Sequence, residues 1–246
     1  MRPARPAGRV WLFDLDDTLH DATGAAFAPA SQAMTDYIVR HLGLEPRAAA
    51  ELRRRYWQRY GATLLGLVRH HDVKAAHFLH ETHLLPGLEE RLRASAHDRA
   101  ALRRLRGRKV ILTNAPRAYA LRVLKSLDLM REFDAVLTIE DMRMFGSHRP
   151  KPDARMLRHV AARLKARPGR CVLVEDTLEH QKAAFGIGMK TVWMRRWLRA
   201  RPAASPWTTA PSHLPPDTER RGAARRCRKP AYVGRKIVSL QALRGL

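Results

Sequence analysis

The chain has 246 residues, 45% of them apolar, which is room for one core of ordinary size and a smaller second unit. Its only cysteines, Cys171 and Cys227, exclude a disulfide framework and fit a reducing, cytoplasmic setting, and no apolar run is long enough for a signal peptide or a membrane span. The formal charge of +24 points to anions: either nucleic acid, through counterion release, or a small anionic substrate steered by an Arg-rich surface. No RNA-binding motif, stacking row or recognition helix accompanies the charge, so the small substrate is the favoured partner.

Residues 1–9 are basic and Pro-rich. The first apolar run, Val10-Trp11-Leu12-Phe13, stops at Asp14-Leu15-Asp16-Asp17-Thr18. Strand alternation projects Asp14 and Asp16 to one side. Two neighbouring carboxylates repel unless a cation or a proton lies between them, so a metal-assisted site is the first hypothesis.

Residues 21–96 read as helices. Ser31 is placed as the cap of a helix through Ala33, Met34, Tyr37, Ile38 and Leu42 that ends at Gly43. Pro46 opens a second helix through Leu52, Tyr56 and Tyr60, and Asp72 caps a third through Ala76, Phe78 and Leu79. So long a helical insertion between two strands makes a lid, which can exclude water and select the substrate. Tyr56 and Tyr60, at i and i+4, read as a buried stripe. His77 and His80 are spaced to share a helix face, yet no Cys or carboxylate in the pattern completes a metal set with them.

The next run, Val110-Ile111-Leu112, stops at Thr113-Asn114, and residues 134–139 read as a third strand. Lys151 lies in Arg149-Pro150-Lys151-Pro152-Asp153, where the prolines stiffen the loop that presents it. Cys171-Val172-Leu173-Val174 stops at Glu175-Asp176, and Thr191-Val192-Trp193-Met194 follows Gly186-Ile187-Gly188 as a fifth strand. Buried parallel strands that end on polar residues deliver them to one edge of a sheet, where ligands bind in open α/β folds. Residues 195–229 change composition to Pro and Arg, with ten basic residues against Asp217 and Glu219, and read as a flexible loop that steers anions. Pro230-Ala231-Tyr232-Val233 and residues 236–243 then read as a short strand and a Ser-capped helix.

Four of these motifs, Asp14-x-Asp16-x-Thr18, Thr113-Asn114, Lys151 and Glu175-Asp176, occur in the order in which the haloacid dehalogenase-like hydrolases carry them, and on them the chain resembles that superfamily. The resemblance implies an α/β fold, a Rossmann-like doubly wound parallel sheet of order 5-4-1-2-3, with the Asp14 strand in the middle. It places the core at 9–20 and 97–246 and a helical cap at 21–96. Residues 56–67, Thr113-Asn114-Ala115-Pro116-Arg117 and Ile139-Glu140-Asp141-Met142 are similar to pyrimidine 5'-nucleotidase-type members.

By that resemblance Asp14 is a nucleophile that forms an aspartyl-phosphate, and Asp16 protonates the leaving oxygen and then activates water. The presence of Asp16 argues against the branch that works on carbon. Lys151 acts in catalysis and, with Thr113 and Asn114, binds the phosphoryl oxygens. Asp14, the backbone carbonyl of Asp16, Glu175 and Asp176 hold Mg²⁺. The expected substrate is a small phosphomonoester, a nucleoside 5'-monophosphate ahead of a sugar phosphate or phosphoglycolate. A basic nucleic-acid-binding protein on the same scaffold is the reading from another class, and the intact Asp14, Asp16, Lys151 and Asp176 set speaks against it. His180 and Gln181 stand where relatives often carry Asn or Asp, a departure that implies weaker or pH-sensitive metal binding.

Overall fold

A computed structural model describes residues 8–93, 95–197 and 229–244. Its main sheet has six parallel strands: β1 (Val10–Phe13), β2 (Arg108–Leu112), β3 (Ala135–Leu137), β6 (Cys171–Glu175), β7 (Lys190–Met194) and β8 (Arg235–Ile237). The order is β3-β2-β1-β6-β7-β8, and a separate two-stranded hairpin is formed by β4 (Arg143–Met144) and β5 (Ser147–His148). The expected order of five strands is therefore present, with β8 added at the edge next to β7. Among the described residues no helix is long and apolar enough to cross a membrane.

The apolar runs are strands because both faces of the sheet are covered, so successive residues bury to opposite sides. Trp11 and Phe13 join Ile111, Val172, Val174, Val192 and Met194 on one face, under α6 (Ala96–Arg104) and α7 (Arg117–Ser126). Val10 and Leu12 join Val110, Leu112, Cys171 and Leu173 on the other, under α8 (Ala154–Arg163) and α9 (Leu178–Gly186). Each fully buried Leu, Val or Phe contributes about 1.5–3 kcal/mol, and the central strand β1 buries all four of its residues.

Between β1 and β2 the chain is helical, as expected, but its divisions differ from the sequence reading. A π-helical turn (Thr23–Phe27) runs into α1 (Ala28–Leu42), so Ser31 is a buried residue inside the helix and not its cap. Gly43 closes α1 with φ 65°, and Pro46 opens α2 (Pro46–Tyr60). Gly61 ends α2 in the left-handed region, and α3 (Thr63–His71) follows as a separate helix. Asp72 is the C-cap of α3, with φ 51°, so α4 (Ala75–Thr82) starts three residues later without it.

Tyr37, Ile38, Ala49, Leu52, Tyr56, Leu64, Leu67, Phe78 and Leu79 form a second core in this insertion, which Ile139, beyond β3, also joins. Ala25, Ala26 and Ala30, with Leu85, Leu88 and Leu92 around the short α5 (Leu88–Arg91), pack instead with the sheet. Gly66 permits α2 and α3 to meet, because a Cβ there would lie 2.2 Å from the Tyr56 ring.

The last elements are shifted from their expected positions. Residues 230–233 form a turn and the strand is β8. Ser239 then caps a 3-10 turn (Leu240–Leu243) by accepting from Gln241 N. Of the Arg-rich stretch, 198–228 lies outside the described residues. Its described flank is anchored, since Arg196 pairs with buried Asp98 and donates to Val238 O at 2.9 Å.

Candidate active site

Register decides which side chains meet. Phe13 pairs with Val174 on β6 and with Ile111 on β2, so the next residue, Asp14, leaves the sheet level with Glu175 and one step before Thr113. Asp14 N donates to Val174 O at 3.0 Å, which fixes that step. The hairpin β4–β5 then returns the chain to Pro150-Lys151-Pro152, and Asp153 caps α8 by accepting from Arg155 N and Met156 N.

Lys151 is consequently carried inward, where only 1% of its side chain is exposed. Its Nζ donates to Asp14 Oδ1 at 2.6 Å and to Glu175 Oε2 at 2.7 Å. Asn114 brackets the lysine's backbone: its Nδ2 donates to Lys151 O and its Oδ1 accepts from Lys151 N, both at 2.9 Å. Asn114, the side chain expected to bind phosphoryl oxygens, therefore also presents Lys151. Thr113 is buried beside it, its Oγ1 accepting from Ala115 N at 3.0 Å.

Burial and charge act together on this cluster. Burial, and then the Glu175 charge, push the Asp14 carboxyl up to about 8 against the pull of Lys151. Burial alone would raise Glu175, but Lys151 and then His180 hold it well below the usual carboxylate range. Lys151 loses by desolvation and gains more from Asp14 and Glu175, so its pKa is raised and it stays an ammonium. Once Asp14 is ionised, one ammonium between two buried carboxylates leaves negative charge over, and Asp176 adds to it. Asp14, Glu175 and Asp176 each bring a carboxylate oxygen within 4.8 Å of the others, an all-oxygen donor set that suits a hard divalent cation.

Asp16 stands on the open side, half-buried, and its Oδ1 is shared by two groups. Tyr119 OH donates to it at 2.8 Å, and His20 Nε2 lies 3.0 Å from it. With Oδ1 so engaged, Oδ2 is the oxygen left to carry a proton. Asp17, at φ 54°, turns the chain away and binds Thr23 through N at 2.9 Å and Oγ1 at 2.6 Å.

Several of these residues carry no signal in the sequence. Tyr119 lies 103 positions from Asp16, so their meeting depends on tertiary structure, whereas His20 meets Asp16 within a local turn. Trp193 Nε1 donates to Asp176 O at 2.8 Å. Gln181 Nε2 donates to Glu175 O and Val192 O at 2.8 and 2.7 Å, so it braces the ends of β6 and β7. His180 Nδ1 lies 3.1 Å from Glu175 Oε1 but is not aligned as a hydrogen bond. The Ile139-Glu140-Asp141-Met142 segment has a structural role. Glu140 accepts from Arg117 N at the start of α7, and Asp141 pairs with the Arg117 and Arg163 guanidinium groups.

Comparison with known proteins agrees with this fold. The chain is similar to "Phosphate metabolism protein 8" of Saccharomyces cerevisiae, 25% identical over 142 residues, a match that spans 53% of this chain and 43% of that relative. Among solved structures it is similar to a HAD phosphatase from Thermococcus onnurineus, at 21% identity, TM-score 0.58 and 96% coverage of each chain. It is also similar to a "putative beta-phosphoglucomutase" from Thermotoga maritima, at 18% identity and TM-score 0.53, covering 96% of this chain and 97% of that one. The model of the haloacid dehalogenase-like hydrolases matches residues 9–188, across β1, the helical insertion, Lys151 and β6. The chain belongs to the haloacid dehalogenase-like hydrolases.

Proposed function

We propose that this hydrolase removes phosphate from small phosphomonoesters with Mg²⁺ as cofactor, and that its substrates are nucleoside 5'-monophosphates. The observation that carries the reading is the buried Lys151 ammonium shared by Asp14 and Glu175 beside Asp176, at the carboxyl ends of adjacent parallel strands. Asp14, Glu175 and Asp176, with the Asp16 carbonyl, would hold Mg²⁺, which would supply charge neutralisation at the phosphoryl oxygens.

The chain's own groups divide the remaining work. Asp14 attacks phosphorus and becomes an aspartyl-phosphate, while Lys151 offsets charge on the nucleophile and on the phosphoryl group. Thr113 binds phosphoryl oxygen, and Asn114 acts through the loop that it holds. Asp16 donates a proton from Oδ2 to the leaving oxygen and takes one from the water that cleaves the intermediate. Tyr119 and His20 hold Asp16 by its other oxygen. The helical insertion serves as a cap over the strand ends, within the domain division 21–96 against 9–20 and 97–246.

The nucleotide preference rests on the similarity of residues 56–67 and 113–117 to pyrimidine 5'-nucleotidase-type proteins. Phosphate release from a panel of nucleoside monophosphates, sugar phosphates and phosphoglycolate, with and without Mg²⁺, tests it. Highest kcat/KM on nucleoside 5'-monophosphates supports the reading, and highest kcat/KM on sugar phosphates or phosphoglycolate transfers the site to those substrates. Absence of Mg²⁺-dependent release from every member overturns it.

A further inference from the structure

Where α1 packs on α4, two i,i+4 pairs face each other: Tyr37 and His41 on α1, His77 and Glu81 on α4. His77 Nε2 lies 2.8 Å from Glu81 Oε1, and His41 Nε2 lies 3.6 Å from Glu81 Oε2. One ligand atom from each of His41, His77 and Glu81 falls within 4.8 Å of the other two. Ligand atoms about 2.0–2.1 Å from a tetrahedral zinc are about 3.3 Å apart, so small rotations of these side chains close the set. The two imidazoles are 38% and 46% exposed and can make them without moving the backbone.

We propose that His41, His77 and Glu81 form a Zn²⁺ site on the helical insertion, with water as the fourth ligand, joining α1 to α4. The sequence pairs His77 with His80. The structure replaces His80 by a carboxylate one turn away from His77 and by an imidazole from another helix, the mixed nitrogen and oxygen set that suits zinc and not Mg²⁺.

Tyr37 supports this assignment. It is buried, its ring stands edge-on to Phe78 at 5.0 Å, and its hydroxyl meets His77 Nδ1 at 3.0 Å. That contact turns Nε2 toward Glu81. A hydroxyl serves both states: it donates to Nδ1 while Nε2–H bonds Glu81, and it accepts from Nδ1–H once Nε2 binds metal. Without metal, Glu81 is contacted by His77 and paired with Arg40, whose Nη2 lies 2.8 Å from Oε2. The Arg40 side chain is 60% exposed and can leave for solvent.

The test is a calorimetric titration of the full chain, stripped of metals, with Zn²⁺ in an excess of Mg²⁺ that occupies the strand-end carboxylates. Cu²⁺ electron paramagnetic resonance on the same protein reads nitrogen ligands, which those carboxylates do not supply. We expect one zinc per chain, coupling to two imidazole nitrogens, and affinity lowered about 10-fold or more in His41→Ala, His77→Ala and Glu81→Gln. Tyr37→Phe, which keeps the ring, should weaken binding by about 10-fold through the lost Nδ1 contact. Circular dichroism confirms that each variant is folded, and Glu81→Gln, which keeps the size of the side chain, decides if another variant is not. Zinc binding unchanged in these variants, or lost in a His70→Ala/His71→Ala pair instead, overturns the assignment.

Discussion

The strand-end site and the helical insertion hold their charged groups in different ways. At the strand ends the groups are buried and the sheet fixes them: Lys151, Asp14 and Glu175 expose no more than 8% of any side chain, and parallel register sets which residues meet. On the insertion, His77, His41, Arg40 and Glu81 are partly in water, and helix packing sets their neighbours. A buried cluster cannot lose a member without leaving a charge uncompensated, whereas an exposed one is screened and adjusts. Damage to the first should therefore be large, with loss of its ammonium costing stability as well as activity, and damage to the second should be local.

The largest effect should come from Asp14→Asn, which keeps size but removes the proposed nucleophile. Turnover of p-nitrophenyl phosphate should fall by at least about 10³-fold while circular dichroism stays native. Turnover near that of the parent would remove Asp14 from the chemistry.

Lys151→Met should act on stability as well as activity. It leaves Asp14 and Glu175 buried without their ammonium, and chemical denaturation should show a loss of about 3–5 kcal/mol in metal-free protein. A change below about 1 kcal/mol would mean that the cluster is wetter than its burial indicates.

For the insertion, Gly66→Ala should cost about 1–3 kcal/mol, because the added methyl meets the Tyr56 ring. Proteolysis should then open α2 and α3 before the sheet. Equal protection of both regions would show that they unfold as one unit and would blunt the contrast between them.

A smaller effect is expected for Tyr119→Phe, which removes one donor from Asp16 Oδ1 and keeps the buried ring. A nucleoside monophosphate, with a poor leaving group, should lose about 10-fold in kcat, and p-nitrophenyl phosphate much less. Equal losses would argue against proton transfer through Asp16.

The smallest effect is one of linkage. Burial raises the folded-state pKa of Asp14, so the folded protein holds a proton that the unfolded chain has released. Metal-free stability from this group is therefore present below the ordinary carboxylate pKa and lost as pH rises toward about 8. Glu175 acts oppositely, its contribution being present above the ordinary value and lost only in acid. A cation at Asp14 removes the first penalty, so Mg²⁺ should raise Tm more at about pH 8 than at about pH 5.5. Asp14→Asn should abolish the difference, and a gain in Tm independent of pH would contradict the shift.

Legibility in the sequence follows the same division. Asp14, Lys151, Glu175 and Asp176 end apolar runs or sit in a proline-framed loop, and one-dimensional patterns report such ends faithfully. The pattern puts the edge strand at 230–233 while the chain forms it at β8, since a short strand fixed by pairing with β7 has little pattern of its own. Ser31 and Asp72 are good capping residues, but tertiary packing carries α1 past the first and ends α3 at the second. The contact of Asn114 with Lys151 spans 37 positions and leaves no local trace. Tyr119 lies 103 positions from Asp16, and no local spacing links His41 to His77 and Glu81 for the same reason.

The central claim is that phosphorus passes through Asp14. Rapid acid quench of the enzyme with Mg²⁺ and a substrate that it turns over, followed by mass spectrometry of the peptide that carries Asp14, tests it most directly. The expected result is a phosphoryl adduct on Asp14 that forms and decays at the rate of turnover and is absent in Asp14→Asn. Phosphate release in a single turnover with no adduct on that peptide, or with the adduct on another residue, would contradict it.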